Sequence, residues 1–210
     1  PDVPVAWNRS LPSYNRNPDV QPRGEGETNR AIDREMAVLG AHRDGQLGAM
    51  LSLFGVHATC IGNDNDSHDG DNKGSAAAEA ERRLSNDGAT DPVAIFAQAT
   101  AGDVSPHYHG PGDQARRRAI REDGDVAYAR SNGRLQADHA LAALDGDDQV
   151  TLSGPTGAVL GHHDLSDTEV DPRHIGGVTG ARTSDPCHGT AFFAGTPVDG
   201  PGIPLSLIHI

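Results

Sequence analysis

Aromatic side chains are scarce in this chain: Phe, Tyr and Trp make up 4% of its 210 residues, with one Trp among them. That argues against stacking platforms for sugars. Basic side chains are also few, 17 Lys and Arg against 30 Asp and Glu, for a net charge of −13. No basic stripe appears, so nucleic acid is not an expected partner. The two cysteines, Cys60 and Cys187, form neither a CxxC pair nor a dense framework, and two alone do not fix a redox compartment. No apolar run approaches the length of a membrane span. What is plentiful is Gly (26) and Pro (14). With glycine counted, apolar content is near the globular norm, enough for one sizeable core threaded by long ordered loops.

Hydrophobic spacing organises most of the chain. Residues 1–30, rich in Pro, Asn and Arg, read as an irregular lead-in. Met36 to Leu39, the turn Arg43-Asp44-Gly45 and the apolar run Leu47 to His57 predict a hairpin. After a polar loop from Gly62 to Asp71, the Ala-rich stretch Lys73 to Leu84 predicts a helix stopped by Asn86-Asp87-Gly88. Val93 to Ala97 predicts a second strand. Strand, helix, strand in that order predicts an α/β fold, with a mixed sheet containing at least one parallel βαβ unit. Arg116 to Arg118 read as the solvated face of a short helix. Asp125 to Leu144 is the clearest helix, with Ala137, Ala140, Leu141 and Leu144 as its buried stripe. Val150 to Leu152, Ala158 to Leu165 and Ala191 to Ala194 read as strands. The first residues, Pro1-Asp2-Val3-Pro4, carry no Met, and the chain reads as an internal fragment. Residues 203–210 switch abruptly to an apolar tail, expected to be non-native, which leaves 1–202 as the partial domain.

Two stretches place chemically competent side chains just after apolar runs. In Phe54-Gly55-Val56-His57, the imidazole follows the first long strand, and ligands in open α/β sheets gather at carboxyl strand ends. Taken alone, a single His there is more often structural than metal-binding. In Gly102-Asp103-Val104-Ser105-Pro106, Gly102 allows close backbone approach and Pro106 fixes the exit. This is not the G-x-S-x-G elbow, and no triad can be read off it. Asp103 is better suited to bracing the loop than to proton transfer. The run Asn63 to Asp71 invites a calcium loop, but with Gly70 at position six the twelfth residue is Ala76 and the bidentate Glu is missing. Asp71-Asn72-Lys73 reads instead as a helix cap, with His68 and Asp69 close to the pocket. His107 and His109 read as loop residues near that pocket, and His162, His163 and His174 as surface residues.

The blocks Gly70-Asp71-Asn72-Lys73-Gly74 and Gly102-Asp103-Val104-Ser105-Pro106 resemble those of the neutral/alkaline non-lysosomal ceramidases. Asn8-Arg9-Ser10 with Ser13-Tyr14 and Asn17-Pro18, then Asp33-Arg34-Glu35-Met36, are similar to that family's motifs in the same order. So is Gly189 to Gly195 with Asp199-Gly200-Pro201-Gly202. Ser75 departs from the pattern, which usually has Tyr there, and His107 stands where Asn is common.

The resemblance implies hydrolysis of the amide of ceramide (N-acylsphingosine) or a related N-acyl lipid, in sphingolipid metabolism. It implies Ser105 as the catalytic residue, His57 as a Zn2+ ligand, and Asp103, Asp71, Asn72 and His68 as supporting groups. It places the remaining zinc ligands, a second His, a Glu and a Tyr, outside this chain, and so predicts that the chain alone is inactive and retains no zinc. It further implies a secreted or cell-surface protein that meets the membrane surface. A metal-independent serine amidase and a non-catalytic lipid-binding α/β module are the alternatives.

Overall fold

The computed structural model describes residues 5–62, 65–107, 114–187, 195–196 and 200–201, with backbone alone along 114–123 and at the last two pairs. The chain divides into two units, Pro1–Gln149 with Thr196–Pro201, and Val150–Gly195 with Gly202–Ile210.

The first unit begins with β1 (Trp7–Asn8) and the single helical turn α1 (Leu11–Tyr14), followed by a 3-10 turn at Glu25–Arg30. The lead-in is therefore ordered, contrary to its composition. Val5 and Ala6 are buried in a small apolar cluster with Phe54, Val56, Ala101 and Val104, and that burial holds the flanking polar residues in place.

β2 (Ala37–Arg43) and β3 (Gln46–Phe54) form the expected hairpin. Its two-residue turn, Asp44-Gly45, has φ of 52° and 81°, the left-handed pair a type I′ turn requires. α2 (Asp71–Asn86) then returns the chain so that β4 (Val93–Gln98) lies parallel to β3, from Ala49↔Val93 to Phe54↔Gln98. The sheet order β2-β3-β4 is mixed, and β3-α2-β4 is the βαβ unit.

α2 forms because its centre is rich in alanine, the best helix former, and it buries Ala76, Ala80 and Leu84 at spacing i, i+4, i+8. These meet Met50, Ala94 and Phe96 from the sheet and Ala137 and Ala140 from α3. Burying a side chain the size of Phe96 contributes about 2–3 kcal/mol.

β5 (Val104–Ser105) follows β4 and pairs antiparallel with β1, Trp7 opposite Ser105 and Asn8 opposite Val104. α3 (Gln114–Asp145) is one long element interrupted at Gly124, whose φ of 119° is outside helical geometry. Arg116 to Arg118 belong to its first part; their side chains lie outside the described residues. α3 crosses α2 at backbone contact. A Cβ at Gly133 would lie 2.5 Å from the Asn72 carbonyl oxygen and 2.7 Å from the Ala76 nitrogen. Only glycine fits there.

The second unit differs from expectation. No strand forms over Val150 to Leu152 or Ala158 to Leu165; the backbone is irregular and Val159 and Leu160 are 100% and 85% exposed. These residues have strand composition but no neighbouring strand to bond among the described residues. An isolated bridge, Glu169 with Arg182, and a 3-10 turn at Pro172–His174 are what order this stretch. The strand expected at Ala191 to Ala194 lies outside the described residues. Cys60 is buried and Cys187 exposed, and no disulfide joins them.

Candidate active site

The site forms where β3 and β4 end. Beyond Phe54 the chain leaves the sheet through Gly55, Val56 and His57. A Cβ at Gly55 would sit 2.2 Å from the Thr100 carbonyl oxygen, so glycine lets the segments after β3 and β4 touch. Gln98, the last residue of β4, closes over the same point. Its Nε2 donates to the Val56 carbonyl at 2.7 Å, and its Oε1 accepts from the Val56 N–H at 3.3 Å.

His57 then bonds directly to the residue before Ser105. Its backbone N–H donates to the Val104 carbonyl at 3.1 Å, and its ring Nδ1 lies 2.9 Å from the same oxygen. A carbonyl only accepts, so Nδ1 carries the proton, and in the neutral ring Nε2 holds the lone pair. The imidazole is half-buried. Ser105 is fully buried, and its Oγ accepts from the His107 N–H at 3.1 Å. The backbone thus brings the two sequence-predicted residues together.

The first turn of α2 holds the His57 loop. Asp71 is buried at φ +52°. Its Oδ1 accepts from the Cys60 and Asn72 N–H groups at 3.1 and 2.6 Å, and its Oδ2 from the Ile61 N–H at 2.8 Å. Asn72, also buried, donates Nδ2 to the His57 carbonyl at 3.0 Å and to Cys60 Sγ at 3.5 Å. The helix cap expected of Asp71-Asn72-Lys73 does not form: the N-cap is Gly70 and no side chain caps it. Asp71 and Asn72 instead template the loop that carries the imidazole, because their side chains bond that loop's backbone. Asp69 accepts from the Asp71 N–H at 2.6 Å. His68 is exposed and outside this group. Asp103 braces β5 against β1, its Oδ2 accepting from Asn8 Nδ2 at 2.6 Å and its carbonyl from the Arg9 N–H at 2.8 Å.

His107 lies in the expected loop, close to the His57 segment; what the sequence did not show is its burial. It is 1% exposed, its ring stacks on Tyr128 with centroids 4.8 Å apart, and its Nε2 lies 2.9 and 3.2 Å from the Thr59 and Cys60 carbonyls. It is a packed residue that ties the His57 loop to the segment after Ser105. His109 lies outside the described residues. His162, His163 and His174 are exposed.

Sequence reasoning took Lys73 for part of a helix cap and gave no role to the polar ladder of α3. Lys73 Nζ donates to the Phe54 carbonyl at 2.8 Å and to Gln136 Oε1 at 3.0 Å. Gln136 donates to Asn132 Oδ1 at 2.8 Å, and Asn132 to the Val5 carbonyl at 2.8 Å. Burial lowers the Lys73 ammonium from its ordinary value to about 8. Tyr128 hydroxyl donates to the Pro106 carbonyl at 2.6 Å. Tyr128, Asn132 and Gln136 recur one turn apart. That polar stripe beside the alanine stripe was the available signal.

Two surface grooves, of about 420 and 540 Å3, lie elsewhere, and neither is lined by His57 or Ser105. Ser75 lines the larger one with Arg130 and Arg134.

The chain's sequence matches the family described as "Neutral/alkaline non-lysosomal ceramidase, N-terminal" over residues 3–206. It belongs to that family. It is 31% identical to a neutral ceramidase of Pseudomonas aeruginosa over 95% of this chain and 28% of that protein. It is 30% identical to neutral ceramidase B of Dictyostelium discoideum over 93% of this chain and 30% of that one. The crystal structure of neutral ceramidase from Pseudomonas aeruginosa superposes with a TM-score of 0.61 at 28% identity, covering 84% of this chain and 26% of that one. A ceramidase complexed with C2 gives 0.63 at 25% identity, covering 95% and 29%. The chain thus spans about 30% of the length of the curated relatives it matches.

A zinc-binding histidine normally has one ring N–H fixed by a carbonyl or carboxylate and the other nitrogen available. The ceramidase-like chain meets that condition at His57. Among its described residues, however, no three His, Cys, Asp or Glu side chains cluster to hold a metal. A catalytic zinc takes three or more protein ligands.

Proposed function

We propose that this chain is part of a zinc-dependent amidohydrolase that cleaves the amide of N-acylsphingosine to a fatty acid and a sphingoid base. The observation that carries this is the bond from the His57 ring to the Val104 carbonyl, immediately before Ser105. It fixes the imidazole against the residue that precedes the hydroxyl, with Nδ1 engaged and Nε2 left as the metal-competent nitrogen.

In this account His57 Nε2 is one zinc ligand, and the others come from outside the described residues. The metal, when bound, polarises the amide carbonyl and lowers the pKa of bound water to about 7. The protein supplies the geometry. Val104 holds the imidazole in the Nδ1–H tautomer, and Asn72 fixes the backbone beneath it. Two roles fit Ser105. Its Oγ adds to the acyl carbon, the amine leaves with a proton, and water then releases the acid. Alternatively the hydroxyl orients the attacking water and the tetrahedral intermediate. Asp103, bonded to Asn8, braces the strand beneath Ser105. The alternative is the metal-independent serine amidase, in which a histidine would take the proton of Ser105. The same reading assigns the protein to the secreted or cell-surface compartment, in contact with membrane lipid.

Chelation tests the metal. Ceramide hydrolysis by the full-length protein should fall at least about 100-fold on zinc removal and return on adding zinc. Turnover indifferent to chelator would favour the serine amidase.

A further inference from the structure

We propose that Lys73 is a positioning residue for His57, resting on the assignment of His57 to the site. Lys73 is a partly buried cation with an unusual set of partners. Its ammonium bonds the carbonyl of Phe54, the last residue of β3, and the amide oxygen of Gln136 on α3. It also stands 5.5 Å from the centre of the Phe54 ring. No carboxylate pairs with it among the described residues.

A buried ammonium without a counter-charge is a poor way to stabilise a fold, because its desolvation opposes folding. A methionine of similar length would fill the same space at less cost. The structure nonetheless aims the charge at one carbonyl, three residues before His57.

That carbonyl is where the chain leaves the sheet. Downstream, Asn72 holds the His57 carbonyl, and Asp71 holds the Cys60 and Ile61 N–H groups. Asp71, Asn72 and Lys73 thus grip the loop at its entry, middle and exit from one helical turn. Lys73 supplies the entry grip. Removing it leaves the Phe54 carbonyl with only the long bond from the Ala99 N–H at 3.4 Å, lets the segment through Gly55 and Val56 turn, and loosens the ring from Val104.

The test separates placement from stability, and needs neither zinc nor turnover. The His57 tautomer is read by nitrogen NMR in the 210-residue chain, beside its melting temperature. The wild type should show the Nδ1–H tautomer. Lys73→Met should melt at the same temperature or higher, while the Nε2–H tautomer rises several-fold. Arg82→Ala, on the exposed face of the same helix, should leave the signal unchanged. If Lys73→Met does not fold, Lys73→Gln is read in the same way. An unchanged tautomer in a folded Lys73 variant would overturn the proposal, as would an equal change in Arg82→Ala. Failure of the zinc or ceramide assignment would leave this measurement standing.

Discussion

Residues 46–57 and residues 150–165 both read as apolar, strand-forming sequence, and they end up in opposite states. β3 has β2 on one side and β4 on the other, and its far end is gripped by α2 and by the segment leading to Ser105. The later stretch has no strand beside it among the described residues, and Val150, Leu152, Val159, Leu160 and Leu165 are exposed. Composition is the same kind of signal in both. The difference lies in neighbours: backbone donors and acceptors stay in a sheet only when another strand meets them, and apolar side chains stabilise only what they are buried against. The first stretch is therefore where substitutions should matter.

The largest expected effect is at Gly55. Gly55→Ala pushes a methyl into the Thr100 carbonyl and should cost roughly 4 kcal/mol or more, or prevent folding, in chemical denaturation. Asp71→Ala comes next. It strands the Asn72 N–H at the start of α2 and the Cys60 and Ile61 N–H groups of the His57 loop, and should lower stability by about 2–4 kcal/mol. A cost below about 1 kcal/mol would mean that water replaces the carboxylate and that the loop is less tightly held than the geometry implies.

A pH dependence sharpens the same contrast. Folding lowers the Lys73 ammonium from 10.5 to about 8, so the unfolded chain binds the extra proton between those values. Stability should accordingly rise with pH from about 8 to about 10.5, by an order of 2–3 kcal/mol, and the gain should be lost as pH falls back through 8. Lys73→Met should abolish that slope. The smallest effect belongs to the other stretch: Leu160→Ser should shift stability by no more than about 0.5 kcal/mol in the same denaturation experiment. A larger loss there would show that residues 150–165 are packed after all.

Much of the fold was legible because periodicity reports burial. The apolar run of β3, the alanine run of α2 and the stripe Ala137, Ala140, Leu141, Leu144 each mark a face that packs into the core, with Leu141 and Leu144 partly buried at its edge. The lead-in was misread because its polar residues hide two anchors, Val5 and Ala6, and because the partner of β1 lies far along the chain at Val104 and Ser105. Residues 150–165 were misread because sequence reports strand propensity but not the presence of a partner. At the site, His57, Ser105, Asp71 and Asn72 stood out through rare motif combinations. Lys73 was read only as part of a helix cap, since a lysine beside a helix start looks like any solvated cation until its surroundings are known. His107 lies in the loop expected of it, but its burial was not legible, because its packing on Tyr128 joins positions 21 apart in sequence.

The most direct measurement is hydrolysis of N-acylsphingosine by the full-length protein carrying Ser105→Ala or His57→Ala, with zinc content determined on the same samples. The account predicts turnover down by about 1,000-fold or more in both, with zinc retained in Ser105→Ala and lost in His57→Ala. Near-normal turnover in either variant, or full zinc in His57→Ala, would contradict it.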